Sequence, residues 1–295
     1  MGVPSARCAA AACSGNRIPN NATTALIPAV GINLVSPALI LRQSDAPMIR
    51  ERLYQLYWAL ERAITPGAES SQRAYARIVT SYVTEWSRWL ELGCGHQLWP
   101  DWIPGQAETA RIPALLVGLD QDVGSLKQNR FVHCRVAGRK LPFADSSFNL
   151  VTANMVFEHF DDPGAALREI RRVLAPGGVC IFHTPNAQYW QTALGRRLPQ
   201  RVKNLLVRLS ERRFAADVYP THYRINTEGA IAQHLHEAGF SVDRVIMLNT
   251  SSAGRILLLG PLVVLELLWI RFTRRIAMRR HRTTIIGVIR PAPTS

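Results

Sequence analysis

The chain has 295 residues, 47% of them hydrophobic, enough to bury one large core or two small ones. Its five cysteines (Cys8, Cys13, Cys94, Cys134 and Cys180) are odd in number and irregular in spacing. That argues against a disulfide framework or a zinc site and fits a reducing, cytoplasmic compartment. A formal net charge of +14 favours an anionic partner: membrane lipid, nucleic acid or a phosphorylated substrate.

Residues 1–47 carry Arg7, Arg17 and Arg42 but no acid before Asp45, and are rich in Ala, Ser, Asn and Pro. They read as a disordered extension or a targeting-like segment, with neither a clean signal core nor a cleavage site in view. The run Thr24 to Leu41 is broken by Pro28, Gly31 and Pro37 and makes a poor spanning helix. Residues 48–84 read as a helical cap. Its first helix carries Leu53, Leu56, Tyr57, Leu60 and Ile64 and stops at Pro66-Gly67. Its second runs from about Ser70 to Val83, with Tyr75, Ile78, Val79 and Tyr82 on one face, a stripe that suits core packing.

Residues 85–186 read as an α/β core. Strands are expected at 87–92, 113–119, 130–136, 147–153 and 178–184. A helix from Pro163 to Leu174 turns Leu167, Ile170 and Leu174 to one face and Arg168, Arg171 and Arg172 to the other. Strands alternating with helices predict a parallel sheet, with ligand at the carboxyl ends beside Gly93, Asp120 and Asn154. The first strand ends Glu91-Leu92-Gly93-Cys94-Gly95, and the second ends at Asp120. A glycine pair of this kind is a tight turn in any doubly wound fold, or a nucleotide cradle with the acid on a ribose. A nicotinamide site needs a third glycine three residues on, where Leu98 stands.

The segments Leu141-Pro142-Phe143-Ala144-Asp145-Ser146-Ser147-Phe148-Asn149, Glu158-His159-Phe160 and Leu174-Ala175-Pro176-Gly177-Gly178 follow the Glu-x-Gly-x-Gly strand end and Asp120. Together they resemble class I S-adenosylmethionine-dependent methyltransferases, especially the small-molecule type 11 group, over roughly residues 85–185. The likeness extends more weakly through His222-Tyr223-Arg224 and Ala238-Gly239-Phe240. The resemblance implies a Rossmann-like sheet of seven strands, mostly parallel, with helices on both faces, and S-adenosylmethionine as cofactor. It implies that Glu91, Gly93, Cys94 and Gly95 form the loop under the methionine part. Asp120, followed by Gln121, takes the ribose hydroxyls, Asn154 and Met155 line the sulfonium side, and Lys140 and Leu141 border the adenine. Three positions depart from the pattern: His96-Gln97 after the glycine pair, Ala137 where relatives carry an acid, and Asn149 in place of an Asp.

His159 is the candidate general base for a hydroxyl acceptor; the alternative is a packed, structural histidine. His183, His222 and Tyr223 are candidates for the acceptor pocket, with His183 expected to point toward its mouth. No metal site is expected. Residues 187–225 read as a basic amphipathic lid, and 226–250 as a further core helix (227–239) and strand (241–248). Residues 251–282 form an apolar, basic insert, and 283–295 the last strand and tail. Within that insert, Ile256 to Ile270 is short of the roughly twenty residues a spanning helix needs. It suits an interfacial helix on an anionic membrane surface, through residues 255–282, or a buried helix covering the sheet. The expected reaction is methyl transfer to a small-molecule or lipid-linked acceptor at the inner face of a membrane. Nucleic acid is suggested only by charge, since Asn154-Met155-Val156-Phe157 lacks the proline of amino-group DNA methylases. A catalytically inactive scaffold is the alternative from another class.

Overall fold

A computed structural model describes residues 37–95, 114–128, 133–135, 140–199, 201–202, 220–249, 256 and 259–293. Its centre is a seven-stranded sheet of order β3-β2-β1-β4-β5-β7-β6. The strands are β1 (Arg88–Leu92), β2 (Leu115–Asp120), β3 (His133–Arg135), β4 (Phe148–Asn154), β5 (Leu174–Pro185), β6 (Phe240–Leu248) and β7 (Thr284–Pro291). The first five are parallel, and β7 runs antiparallel between β5 and β6. The mostly parallel seven-stranded sheet expected from the sequence is therefore present. The helices are α1 (Pro37–Ile64), α2 (Ser71–Tyr82), α3 (Val123–Gln128), α4 (Pro163–Val173), α5 (Trp190–Arg197), α6 (Glu228–Glu237) and α7 (Val263–Thr273).

Alternation along the strands divides the core. Leu90, Leu92, Val151, Ala153, Cys180 and Phe182 face Leu167 and Ile170 of α4 and Ile231 and Leu235 of α6. Trp89, Leu150, Val179, Ile181, Ile286 and Val288 face Ala74, Tyr75, Ile78 and Val79 of α2. The stripe on α2 is core packing, and Ser70 caps that helix by accepting the Arg73 N–H. Asn149 accepts the Arg88 N–H at 2.9 Å and donates to the Trp86 carbonyl, pinning the start of β1.

Two boundaries and the packing of the helical cap differ from expectation. The first helix begins at Pro37 rather than Met48, because a proline at the first helical position loses no needed N–H. Strand β5 starts at Leu174, so the Pro-Gly-Gly step lies inside it as a register shift between Phe148↔Leu174 and Leu150↔Val179. The helical cap divides, with α2 packed on the sheet and α1 packed through Tyr57 on Val263, Leu267 and Ile270 of α7. Helix α7 thus buries one face on α1, not on the sheet. Residues 1–36, most of the strand expected at 130–136, Ala137, His96-Gln97 and residues 203–219 of the expected lid lie outside the described residues.

Arginines clamp α7 in place. Arg271 and Arg274 donate to the carbonyls of Ile64 and Pro66, both at 2.9 Å, while Arg282 donates to Met247 at the end of β6 at 2.8 Å. Gln191 of α5 donates to the buried Glu266 of α7. Both α5 and α7 therefore sit at the carboxyl rim, after β5 and β6.

Gly287 of β7 lies opposite Phe182 of β5, whose ring stacks on Phe157 at 4.4 Å. A Cβ at 287 would fall 2.2–2.3 Å from that ring. Gly287→Ala is expected to destabilise the fold by about 3 kcal/mol in urea unfolding. Adding Phe182→Leu should restore part of the loss; no recovery would mean the clash is not with that ring.

Candidate functional site

Strands β1 and β2 lead the chain one way across the sheet and β4 leads it the other, so a crevice opens beyond their carboxyl ends. A cavity of about 640 Å³ occupies that crevice. One end is built from Leu92, Gly93, Leu119, Asp120, Gln121 and Leu141, the other from Met155, Val156, His159, Phe160, Pro220 and His222, with Glu169 and Ile170 of α4 between.

At the first end the chain turns hard as it leaves β1. The N–H groups of Gly93 and Cys94 both donate to the Leu119 carbonyl, at 2.7 and 3.1 Å. Gly93 has φ +65°, and a Cβ there would lie 2.5 Å from Cγ2 of Val156. A side chain at this position would both strain the backbone and fill the crevice. Asp120 is held by two amides: Oδ2 accepts the Gly95 N–H at 2.7 Å and Oδ1 accepts the Asp122 N–H at 2.9 Å. A carboxylate has about four acceptor directions, and among the described residues these two amides take one on each oxygen.

The Leu141–Asp145 segment is fastened to α4. Glu169 accepts the Leu141 N–H at 2.8 Å, and Arg172 donates to the carbonyls of Leu141 and Phe143 and to Asp145. The Arg172 guanidinium holds the Glu169 carboxyl below its usual range. Arg171 donates to the Gly239 carbonyl at 3.0 Å. Two of the three arginines assigned to the outer face of this helix thus serve as ties. A signal was present in the sequence, an acid and a base three apart on α4, Glu169 and Arg172.

At the second end, the two histidine motifs meet in space. The Glu158 carbonyl accepts the N–H of His222 at 2.7 Å and of Tyr223 at 3.1 Å. Its buried carboxyl accepts the Thr184 hydroxyl at 3.0 Å, and Asn226 also donates to that hydroxyl oxygen. Burial raises the Glu158 pKa. His159 bonds through Nδ1 to the Pro220 carbonyl at 2.7 Å, which leaves the ring's basic lone pair on Nε2. His159, Pro220 and His222 consequently share one wall.

Of the residues singled out from sequence, Gly93, Asp120, Gln121, Leu141, Met155, His159 and His222 line the cavity. Glu91 and Cys94 are buried beneath the turn, and burial, with Glu91 and Asp120 nearby, raises the Cys94 pKa. Gly95 serves through its amide, and Lys140 is exposed beside Leu141. Tyr223 lies under the Arg196 guanidinium, outside the lining. His183 does not reach the cavity: it shares the face of Val179 and Ile181, stacks on Tyr75 of α2 at 5.4 Å, and bonds through Nδ1 to Asn154 at 2.9 Å. The expectation that it points to the mouth fails on strand parity, since Phe182 takes the other face. Phe160 closes the Glu158-His159-Phe160 motif but was given no role there, and Asp161, Asp162 and Ala166 are wall residues that no motif announced. Among the described residues, no cluster of His, Cys, Asp and Glu could hold a metal ion.

The profile of a family described as a methyltransferase domain matches residues 49–245. A demethylmenaquinone methyltransferase of Corynebacterium kroppenstedtii is 39% identical over 107 residues, covering 33% of this chain and 47% of that protein. One of Mycobacterium marinum is 34% identical over 145 residues, covering 46% and 62%. The chain spans about half the length of these curated relatives. A solved structure of an S-adenosylmethionine-dependent methyltransferase from Mesorhizobium loti is 17% identical, with a TM-score of 0.44 over 72% of this chain and 96% of that one.

Burial pushes the His183 pKa down to about 3, so the ring is neutral at pH 7. The unfolded chain takes up this proton near pH 6.5, so His183 leaves stability untouched above that value and lowers it as pH falls toward 3. The expected slope from this group is up to about 1.4 kcal/mol per pH unit in that window. Urea midpoints at pH 7.5 and pH 5 should show His183→Gln losing less stability on acidification than the parent chain; equal losses would contradict this assignment.

Proposed function

Because the chain belongs to the methyltransferase domain family, we propose that it transfers a methyl group from S-adenosylmethionine to a small or lipid-linked acceptor of low polarity. The observation that carries this reading is the Asp120 carboxylate, locked by the amides of Gly95 and Asp122 beside the side-chain-free turn at Gly93. Those features fit a nucleoside with a methionine tail. Gly93, Cys94 and Gly95 would pass under the tail with Glu91 buried behind them. Asp120 would take the ribose diol, with Gln121 beside it. Leu141 would border the adenine with Lys140 at the rim, and Met155 would close the sulfonium side, with Asn154 outside the lining and bonded to His183. When bound, the cofactor supplies an electrophilic methyl group for in-line displacement.

The chain's own work is to align an acceptor and exclude water around it. With a hydroxyl acceptor, His159 takes the proton at Nε2, its ring held in place by the bond from Nδ1 to Pro220. Two relatives named for demethylmenaquinone support an acceptor of quinone-like character. Among the described residues, no helix is long and apolar enough to cross a membrane. We put the meeting with a lipid-linked acceptor at the cytoplasmic surface, with the basic segment 255–282 toward anionic headgroups.

Calorimetric titration of S-adenosylmethionine and S-adenosylhomocysteine into the folded chain should give micromolar-range binding. Asp120→Ala should weaken it 10- to 100-fold, the effect of losing charge-assisted hydrogen bonds of about 1.5–3 kcal/mol. A folded chain that binds neither compound overturns the reading and leaves the inactive scaffold. Once an acceptor is found among lipid extracts, His159→Gln should lower kcat roughly 10²- to 10⁴-fold with cofactor affinity unchanged. An unchanged rate would make His159 structural.

A further inference from the structure

Helix α7 is apolar on two opposite faces. Val263, Leu267 and Ile270 are buried on α1. Leu262, Leu265, Leu268 and Phe272, spaced three or four apart, are 59%, 63%, 48% and 41% exposed. A helix that only completed a core would bear polar residues on that second face.

Charge indicates what covers it. Between 260 and 282 the only acid is Glu266, which is buried against Gln191. Arg271, Arg274, Arg275, Arg279 and Arg280 are all exposed, and among the described residues only Arg279 of these pairs with a carboxylate, that of Glu228. Arg271 and Arg274 donate to backbone carbonyls, which carry no net charge to neutralise theirs. Arg275 lies 5.1 Å from the centroid of the exposed Phe272 ring, so cation and apolar face are continuous. A second copy of the chain is disfavoured as the occupant, because pairing this face with itself would set arginine rows against each other.

We infer that the Leu265–Phe272 face of α7, with Leu262 in the turn before it, docks flat on an anionic lipid bilayer, with Leu265, Leu268 and Phe272 in the acyl boundary and the arginines among the phosphates. This deepens the reading of a lipid-linked acceptor and rests on it for its purpose. Helix α7 follows the carboxyl end of β6 and precedes β7, so docking holds the rim that bears the cavity toward the membrane.

The test is co-sedimentation of the full chain with phosphatidylcholine vesicles containing phosphatidylglycerol, against phosphatidylcholine alone. The triple variant Leu265→Gln/Leu268→Gln/Phe272→Gln changes only exposed side chains, and circular dichroism checks its fold. Expected are binding to the anionic vesicles at least 10-fold tighter than to the neutral ones, weakening with salt, and at least a 10-fold loss in the variant. Binding that ignores either the anionic lipid or the substitutions overturns the inference. So does a parent chain that sediments as a dimer, turns monomeric in the variant and binds no vesicles. Titration of S-adenosylhomocysteine into both proteins keeps the two proposals apart: it should be unchanged, and its failure alone would count against the cofactor reading and not against docking.

Discussion

The approach of Gly93 to Val156, where a Cβ would sit 2.5 Å from a methyl carbon, sets the width of the crevice on which the rest of the molecule depends. The chain leaves β1 and β4 at the same edge but heads in opposite directions, so their exits must pass close without touching. A bare α-carbon on one side and a branched side chain on the other make that passage possible. The left-handed backbone at Gly93 then aims the following amides at Leu119 and Asp120 rather than at solvent. What fixes the site is therefore steric first and electrostatic second: the turn positions the amides, and the amides position the carboxylate.

The far wall is built on another principle. Glu158 contributes no side-chain atom to the cavity lining, yet its carbonyl holds His222 and Tyr223 while its carboxyl holds Thr184. A buried carboxyl is costly unless its bonds are made. A loss of any partner in the Glu158–Thr184–Asn226 set would be felt through the position of the histidines, not through direct contact with a ligand. The site thus has one wall of backbone geometry and one of buried polar ties.

Much of this was legible in the sequence because the determinants are local. Apolar runs ending in Glu91-x-Gly-x-Gly and in Asp120 announce two strand exits, and the parallel order follows from the alternation of elements. Asn149 stands out in the sequence as a departure from the pattern, and its amide oxygen accepts the Arg88 N–H as a carboxylate oxygen could. What was not legible depends on parity and on distant partners. A one-residue difference decides that Phe182 and not His183 takes the cavity-side face of β5. That Arg172 ties down residues 141–145, or that α1 leaves the sheet to pair with α7, requires knowing which surfaces meet. Periodicity cannot reveal this, since a buried stripe on α1 looks the same whatever it packs against.

The arginine clamps around α7 have a consequence for how such a chain can change over time. Strands β6 and β7 pair from Phe240↔Pro291 to Leu248↔Thr284, so the ladder is closed whatever the connection between them contains. Lengthening a connection between fixed ends costs little in entropy. The hairpin end is therefore a socket: a segment plugged in there reaches the rim and fastens to carbonyls at Ile64, Pro66 and Met247. The α7 segment and the strand exits around Gly93 and Asp120 thus lie in separate stretches of the chain, and one can be rewritten without erasing the other.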